Sequence, residues 1–579
     1  MTDAPKVAYF SMEISLDPAM PTYAGGLGVL AGDTIRAAAD LEVPLIALTL
    51  LHRHGYFHQQ LDPQGKQWER PALWPIDDYL EPLDSRVTVE IEKREVRVRA
   101  WRYRVSGATG FKVPVILLDT YLEENSEYDR TLTDVLYGND TRYRLCQEVI
   151  LGVGGVQMLR SLGYNKLDRY HLNEGHASLI ILALVEEKLA AEEFKGLSPP
   201  DVAHLVREQC VFTTHTPVPS GHDQFPAELA EQVLGERRWN LMGQCGHSGV
   251  LNMTELGLRC ARFVNGVAMR HGEVSRGMFP GYPIHSITNG VHTVYWAVPS
   301  FQKLYDRYLP DWRKDAFSLR YAIKIPGNEI WEAHTEAKQS LIELVNRQAN
   351  GGFDRDALTI GFARRATAYK RAMLIFHDVE RLKEIARRAG SLQIVFAGKA
   401  HPRDEEGKGI IRQINEMRER LQEYIPIAYL ENYDMVMAKM LCAGADVWLN
   451  TPLPPLEASG TSGMKAAVNG VPSLSVLDGW WMEGCIEGVT GWAIGEKVEP
   501  DGESRERLDE LHASALYEKL ERQVLPSFYQ SRDRFIEMMR QTIAINGSFF
   551  SAQRMLWQYL HNAYRVGICC FEGSKNSCL

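Results

Sequence analysis

The chain contains 579 residues, more than one hydrophobic core usually holds, so we expect at least two domains. Its 45% hydrophobic and 24% charged residues are typical of a globular protein in water. The net charge of −10 favours neither a nucleic acid nor an anionic membrane as a partner, and any phosphate-binding site must be made positive locally.

The amino terminus and the cysteines bear on location. No basic segment followed by an apolar one opens the chain, and no apolar run of about 20 residues predicts a membrane helix. The nine cysteines are odd in number and lack the spacing of metal ligands. We therefore predict reduced thiols, a cytoplasmic protein and no metal site. Cys569 and Cys570 fall in a polar tail, which we expect to be frayed.

Short apolar runs rich in β-branched residues alternate with helical patterns along the first half. This alternation predicts an α/β fold in which helices cover parallel sheets. An alternating charged and apolar stretch at 86–105 predicts an antiparallel hairpin added to the first sheet. Because ligands of open α/β sheets bind beyond the carboxyl ends of the strands, we expect the site in the turns that follow them. The predicted strands of the first half are 7–11, 44–50, 113–118, 169–172, 211–214 and 285–287.

The second half repeats this alternation after a helical pattern at 331–349 and the glycines that follow it. From about residue 514 onward the pattern is helical, and 548–564 is strongly amphipathic. Two Rossmann-like, doubly wound domains that face a central cleft would resemble the GT-B glycosyltransferase architecture, whose last helix crosses back to the first domain. We predict domains at 1–350 and 351–545, with the crossing helix and the tail at 546–579. The predicted strands of the second half are 358–363, 393–397, 427–430, 446–449 and 473–476.

A glycine-rich loop, Tyr23-Ala-Gly-Gly-Leu-Gly, follows the first predicted strand and leads into a helix predicted at 34–41. Adjacent glycines let the backbone approach a ligand and present unhindered N–H groups. The alternative is that they only allow the helix to pack closely on the sheet.

Polar side chains also follow later strands, in segments 171–178, 212–219 and 288–292. Such groups at strand ends suit the recognition of sugar hydroxyls, which need directional hydrogen bonds. A lone histidine in such a place is more often structural, but three such segments together favour a site.

Four cations lie within eight residues after the strand predicted at 358–363, in Arg-Arg-Ala-Thr-Ala-Tyr-Lys-Arg at 364–371. In an acidic protein this cluster indicates an anion site, because arginine can hold phosphate oxygens in a bidentate manner. The alternative is a solvated helix start.

The run Glu457-Ala-Ser-Gly-Thr-Ser-Gly-Met-Lys465 places an amine after a carboxylate and a loop of small residues. Such a loop leaves backbone N–H groups free for an anion, and a lysine beyond it can form a Schiff base with an aldehyde cofactor. The run therefore suggests pyridoxal 5′-phosphate. For a lysine taken alone, a side chain in solvent is the commoner arrangement.

Together these segments resemble the α-glucan phosphorylases, the family that acts on glycogen, starch and maltodextrin, and its compact microbial branch in particular. The similarity is dispersed over residues 9–564 and strongest at 362–371 and 430–482. The resemblance implies that Lys465 anchors pyridoxal 5′-phosphate. It also implies the other cofactor-binding residues, Thr461, Arg364, Gly25, Gly26 and Tyr433.

The same resemblance implies the glucan side of the site. It implies that Arg365 and Lys370 bind the substrate phosphate. It also implies that Glu457, His215 and Lys465 are catalytic residues, together with these two cations. The implied substrate-binding residues are Leu27, His215, Asn289, Tyr369, Ser459 and Gly460.

The resemblance further implies reversible phosphorolysis of an α-1,4-glucan by inorganic phosphate, giving α-glucose 1-phosphate with retention, in a homo-oligomer. The alternatives are a nucleotide-sugar-dependent glucan synthase of the GT-B type and a catalytically inactive glucan-binding protein. Related synthases place a lysine two residues before the glycine pair, where this chain has Tyr23, and this counts against a nucleotide sugar. We expect no allosteric control, because the regulatory segments of the large enzymes are not recognisable.

Overall fold

Two large β-sheets organise the chain, and both are built mainly of parallel strands. The computed structural model describes residues 4–138, 140–218, 221–244, 249–349, 352–496 and 504–565. The predicted α/β class with parallel sheets is confirmed. Cys569, Cys570 and the predicted tail lie outside the described residues, as do residues 350 and 351 between the predicted domains.

The first sheet has nine strands, of which seven are parallel. The last two continue it as the antiparallel hairpin that the alternating pattern predicts. The parallel strand at its centre, Val7–Ser11, is buried throughout, as expected of a strand covered on both faces. In spatial order the strands are His285–Ser286, Phe263–Gly266, Cys210–Thr213, Arg169–Asn173, Val7–Ser11, Leu45–Leu50, Lys112–Asp119, Arg94–Ser106 and Glu81–Ile91.

The second sheet has six strands, all parallel. In spatial order they are Ile427–Leu430, Leu392–Ala397, Leu358–Ala363, Val447–Asn450, Ser473–Val476 and Gly491–Ile494. Two small antiparallel pairs complete the strands, His58–Leu61 with Gln67–Arg70 and Gln224–Phe225 with Leu251–Asn252.

Helices cover both sheets. In the first half they are Gly26–Asp40, Ile76–Tyr79, Glu127–Arg130, Thr141–Val149, Gly155–Ser161, Ile180–Ala190, Pro199–Arg207, Ala227–Leu234, Glu236–Gln244, Met253–Cys260, Met269–Met278, Thr293–Trp296, Pro299–Tyr308 and Gly327–Ala349. In the second half they are Val379–Arg388, Glu405–Leu421, Met435–Gly444, Ser462–Val468, Trp481–Gly484, Arg505–Lys519, Leu525–Tyr529, Arg532–Gln541 and Ala552–Gln558. No helix in the described part of the chain is long and apolar enough to cross a bilayer.

The predicted strands are present, with ends that differ by a residue or so. The four strands of the small pairs were not predicted, and two strands of the large sheets are also absent from the prediction, Phe263–Gly266 and Gly491–Ile494. Each is four residues long and contains a glycine, so neither gives the run of β-branched residues by which a strand is recognised. The helix predicted at 34–41 is wrong at its start, because the observed helix begins at Gly26 inside the glycine-rich loop.

The last described helix lies in the core of the first sheet. Leu556 and Tyr559 pack in one cluster with Val7 and Ile35. The hydroxyl of Tyr564, in the π-helical turn that follows this helix, lies 2.6 Å from Nδ1 of a buried histidine of the first sheet. Residues from the far end of the chain therefore complete the first core.

A buried carboxylate, Asp446, ties the helix Gly327–Ala349 to the second sheet. Its oxygens lie 2.8 Å from His334 Nε2 and 2.5 Å from Lys338 Nζ, two side chains of that helix. It also accepts the backbone N–H of Thr359 at 2.7 Å. Burial opposes its charge, but Lys338 and His334 hold the pKa of Asp446 below its ordinary value.

We expect Asp446→Asn to lower the free energy of unfolding by about 3–5 kcal/mol, because it leaves the buried Lys338 ammonium without a counter-charge. The change should appear as a lower denaturant midpoint. The control is Asp356→Asn, at an exposed carboxylate, which should leave the midpoint nearly unchanged. Equal midpoints for the two variants would contradict the role of Asp446.

Candidate active site

Glu13 supports the glycine-rich loop from the end of the first strand. It is buried, and its Oε2 accepts the backbone N–H groups of Ala24 at 2.5 Å and Gly25 at 3.1 Å. The hydroxyl of Tyr137 donates to its other oxygen at 2.6 Å. The sequence analysis did not single out Glu13, because a carboxylate shortly after a strand carries no signal by itself.

The glycines of this loop have two different roles. A Cβ on Gly28 would lie 2.7 Å from Oε2 of Glu13, so close packing requires a glycine there. Around Gly25 and Gly26, by contrast, no atom lies within 4 Å of the place of a Cβ. The packing interpretation therefore holds at Gly28, and the face formed by Gly25 and Gly26 has room for a ligand.

Arg364 and Lys370 both contact one oxygen of Glu457. Arg364 Nη2 and Lys370 Nζ each lie 2.6 Å from its Oε2, and all three side chains are buried or nearly so. Burial opposes the charge of Glu457, but the two cations hold its pKa below the ordinary value. One carboxylate cannot neutralise two cations, so the group keeps a positive charge that favours an anion.

The four cations of the cluster do not act alike. Arg371 is structural, since it donates to the backbone oxygens of Thr451 and Pro452. Arg365 forms no ion pair with Glu457, and its side chain is exposed although tyrosines of the first half lie nearby. Burial opposes the charge of Arg365, but its pKa is raised, first by the phenols of Tyr56 and Tyr137. Arg365 thus faces residues of the first half.

Asp478 supports the loop that carries Glu457, and the sequence analysis missed it. Its Oδ2 accepts the backbone N–H of Glu457 at 2.8 Å, and its Oδ1 accepts that of Gly479 at 2.9 Å. The N–H of Trp480 donates to the backbone oxygen of Ser459 at 2.8 Å. Burial, reinforced by the charge of Glu457, raises the pKa of Asp478 to about 7.

Lys465 is buried, so the alternative of a lysine in solvent is wrong. It lies on the helix Ser462–Val468, and its Nζ is 4.1 Å from the ring centroid of Trp296. Burial lowers its pKa, and no carboxylate of the described residues forms an ion pair with it. A desolvated amine of this kind is the form that reacts with an aldehyde. Trp296, which comes from the first half, was not foreseen.

The loop before Lys465 carries the other predicted contacts. Its helix begins after Thr461, whose side chain makes no capping hydrogen bond. The hydroxyl of Ser459 is buried and has no hydrogen-bond partner among the described residues. Gly460 has a φ of +85°, which favours glycine.

Tyr433 follows the strand Ile427–Leu430 and so lies on the second-sheet side of the site. Burial raises the pKa of its phenol, and Arg364 is close enough to oppose this rise. Arg364 and Tyr433, two of the residues that the resemblance assigns to the cofactor, are therefore neighbours.

His215 and Glu174 join two loops at the ends of neighbouring strands of the first sheet. Glu174 accepts the backbone N–H of His215 at 2.7 Å, and His215 Nε2 lies 2.7 Å from Oδ1 of Asn173. Burial lowers the pKa of His215 to about 4, so the imidazole is neutral near pH 7. Because the amide oxygen only accepts, Nε2 carries the proton and Nδ1 is the acceptor.

Asn289 belongs to the same side of the site as His215. Its side chain is buried, and its Oδ1 has no hydrogen-bond partner among the described residues. Its backbone oxygen accepts from Arg554 Nη2 at 2.9 Å. Leu27 and Tyr369 are partly exposed, and Lys370 Nζ lies 4.4 Å from the centroid of the Tyr369 ring.

Some of the predicted residues lie at the boundary between the two halves of the chain. The cations Arg364 and Lys370 contact Glu457 directly, while Lys465 and Arg365 contact or face residues of the first half. His215 forms its side-chain hydrogen bond with Asn173 of the first sheet. The backbone oxygen of Asn289 accepts a hydrogen bond from Arg554 of the last helix. A further set of contacts closes the boundary, for instance between Gln59 and the backbone of the second half.

We expect the stability of the protein to depend on pH through Asp478. A raised pKa means that the folded state binds this proton more tightly than the unfolded state, whose aspartate titrates near pH 4. The contribution is present below about pH 4 and is lost as pH rises through about 7. The melting temperature of wild type should therefore fall from pH 5 to pH 8 more steeply than that of Asp478→Asn.

The matched control for this measurement is the exposed Asp356→Asn, which should keep the pH dependence of wild type. Parallel curves for wild type and Asp478→Asn would contradict the assignment. We also expect the melting temperatures of wild type and Asp478→Asn to differ by a constant amount at all pH values, because the amide replaces one acceptor oxygen by a donor.

Comparisons with known proteins agree with the resemblance seen in the sequence. A family model described as carbohydrate phosphorylase matches residues 236–487. The maltodextrin phosphorylase of Thermococcus litoralis is 41% identical over 96% of this chain and 70% of its own length. The glycogen phosphorylases of Mycobacterium tuberculosis and Aquifex aeolicus are each 37% identical over 96% of this chain, covering 70% and 86% of their own lengths. The chain therefore belongs to the carbohydrate phosphorylase family.

Proposed function

We propose that this protein is an α-1,4-glucan phosphorylase. It transfers the terminal glucose of glycogen, starch or maltodextrin to inorganic phosphate and gives α-glucose 1-phosphate with retention, reversibly. The observation that carries this proposal is the contact of Arg364 and Lys370 with a single carboxylate, which leaves a buried positive charge beside the loop of Lys465. Relatives named maltodextrin and glycogen phosphorylase, similar over nearly the whole chain, support it.

The architecture that fits this function is the GT-B arrangement, with domains at 1–350 and 351–545 and a crossing helix from 546. Its support is the separation of the two sheets along the chain and the packing of Leu556 and Tyr559 in the first core. In this arrangement the loops that carry the cations face the glycine-rich loop across the cleft.

The residues fit pyridoxal 5′-phosphate as a cofactor. The buried amine of Lys465 would hold its aldehyde carbon, and the open face of Gly25 and Gly26 leaves room for it. Arg364 has a buried Nη1 without a hydrogen-bond partner among the described residues, which suits a phosphate oxygen. Bound there, the cofactor supplies a phosphate group that buffers a proton.

Two further residues would complete the cofactor site. Thr461 precedes the helix of Lys465 and uses its side chain for no capping hydrogen bond, so its hydroxyl can meet the cofactor phosphate. Tyr433, close to Arg364, would line the same side.

The substrate phosphate would lie against Arg365 and Lys370. These cations stabilise its charge, and Glu457 already holds Lys370 in place, so little reorganisation is needed when the anion binds. The substrate phosphate then protonates the departing glycosidic oxygen and captures the sugar on the same face, which retains the α configuration.

The glucose would lie between the two halves. The neutral imidazole of His215 and the unpartnered Oδ1 of Asn289 are suited to hydroxyl groups. Because buried polar groups without a partner are costly, a substrate that satisfies them gains affinity and specificity. On the other side, the Ser459 hydroxyl and the Gly460 backbone would contact the sugar. Leu27 and Tyr369 would form further walls of the glucose-binding site.

A nucleotide-sugar-dependent synthase is the second candidate. Its diphosphate would need a cation near the glycine-rich loop, and Tyr23 stands at the position where related synthases have a lysine. The Tyr23 hydroxyl accepts the backbone N–H of Met435 at 3.1 Å, so this residue joins the two halves instead. An inactive glucan-binding protein would have no need for Lys465, Arg364 and Lys370 in their buried arrangement.

We further propose a homo-oligomer, on the family resemblance, and a cytoplasmic location. The thiols of Cys146, Cys210 and Cys442 are buried and form no disulfide, and burial raises their pKa values, which suits a reducing compartment.

Lys465→Ala should lose the absorbance of the cofactor and, with it, the phosphate-dependent release of glucose 1-phosphate from maltodextrin. The reason is that the amine that holds the aldehyde is removed. Absorbance spectra and a coupled assay of glucose 1-phosphate measure the two effects, with the exposed Lys303→Ala as the control. Purified wild type that lacks the cofactor and turns over a nucleotide sugar would refute the proposal.

Arg365→Ala should keep the cofactor absorbance and lower kcat by about 10²–10³-fold, because one preorganised cation at the substrate phosphate is removed. The steady-state rate as a function of phosphate concentration measures this effect. Arg355→Ala, at an exposed arginine, is the control and should behave as wild type. Loss of the cofactor absorbance in Arg365→Ala would contradict this assignment, because it would indicate that Arg365 contacts the cofactor phosphate and not the substrate phosphate.

A further inference from the structure

A cavity with a volume of about 490 Å³ lies beside the carboxyl-terminal half of the helix Gly26–Asp40. Its other walls come from the strand Arg94–Ser106, residues 292–302 and the helix Met435–Gly444. None of the residues that we assign to the glucan, the phosphate or the cofactor lines it. We call it the Tyr295 cavity, after the ring at its wall.

Two cations pack on the ring of Tyr295. Arg36 Cζ lies 4.1 Å and Lys439 Nζ 3.5 Å from the ring centroid. Arg36 is held in place, since its Nη2 donates to the backbone oxygens of Leu16 at 2.7 Å and Ser15 at 3.2 Å. The two cations therefore share one ring, where they repel each other.

Lys439 forms no ion pair with a carboxylate of the described residues, within the 4 Å that defines such a pair. Burial, and then the neighbouring Arg36, lower the pKa of Lys439 to about 8. A half-buried ammonium without a counter-charge in contact is unfavourable in the protein alone. An anion beside it would remove this cost.

The nearby carboxylates are already engaged elsewhere. Asp40 lies at the cavity wall, but its Oδ2 is 2.7 Å from His292 Nε2 and its Oδ1 accepts a backbone N–H at 2.8 Å. Asp33, two turns earlier in the helix, lies 3.3 Å from Arg36 Nη1 and so offsets the charge of that cation. The charge of Lys439 thus remains available to a ligand.

We propose that the Tyr295 cavity binds the phosphoryl group of a small phosphorylated metabolite, with the Lys439 ammonium as its charged contact. Phosphoryl oxygens accept hydrogen bonds from lysine and arginine, and a dianion beside Lys439 in this cavity offsets its repulsion by Arg36. Arg104, at the rim and partly exposed, is a third cation, although its Nη1 lies 2.7 Å from Oε2 of Glu81, which offsets part of its charge. The volume matches that of pockets for ligands of metabolite size, about 300–1,000 Å³.

The test uses tungstate, a heavy tetrahedral dianion, soaked into crystals of the full chain. We expect an anomalous peak beside Lys439 and Arg36 in wild type and in the control Lys303→Gln, and no peak there in Lys439→Gln. Absence of this peak in wild type, while tungstate binds elsewhere in the same crystals, would overturn the proposal. So would a peak that persists unchanged in Lys439→Gln.

A measurement in solution makes the same comparison with inorganic phosphate. Phosphate that binds the folded state raises the melting temperature, and the rise is larger for tighter binding and for a higher phosphate concentration. We expect Lys439→Gln to weaken the phosphate-dependent part of this rise and to keep phosphorolysis near the wild-type rate, since Lys439 lies outside the proposed active site. An identical phosphate dependence in wild type and Lys439→Gln would overturn the proposal.

A further variant guards against a folding defect. If Lys439→Gln does not fold, Arg104→Gln at the rim should weaken tungstate binding at the cavity about threefold to tenfold, because a cation is lost while its partner Glu81 stays. No change in that variant would then count against the site. These outcomes do not depend on the proposed function, since the comparison concerns only the peak and the stabilisation that Lys439 controls.

Discussion

The sharing of one carboxylate oxygen of Glu457 by Arg364 and Lys370 is the interaction on which the rest of the site depends. Two buried cations on one carboxylate leave an excess positive charge inside a chain whose net charge is −10. The field of the whole molecule repels anions, so this local excess is what makes a phosphate site possible. Because the carboxylate also fixes both cations, they are oriented before any ligand arrives.

Three loops around the boundary are held by the same device, a buried carboxylate that accepts two backbone N–H groups. Glu13 holds the glycine-rich loop, Glu174 holds the loops of two neighbouring strands, and Asp478 holds the turn that carries Glu457. Each of these side chains thereby fixes a loop at the ends of parallel strands, where ligands of such sheets bind.

The sequence predicts the strands and the motifs well and the supporting contacts poorly. A buried parallel strand such as Val7–Ser11 is a nearly continuous apolar run, so the pattern alone reveals it. The four cations at 364–371 were also visible as a cluster. The different roles of Arg365 and Arg371 were not visible, because they depend on which distant residues the loop meets. Distance also explains why Asp478 and Trp296 were missed, since each contacts a site residue that is not adjacent in sequence.

The packing of the last helix in the first core has a consequence for synthesis on the ribosome. Tyr559 and Tyr564 lie against residues of the first sheet, whose strands are all made long before them. A nascent chain that has completed the first sheet therefore still exposes the apolar surface that these residues cover. The first core is therefore complete only after residue 564 has emerged, when the strands of the second sheet have already been made.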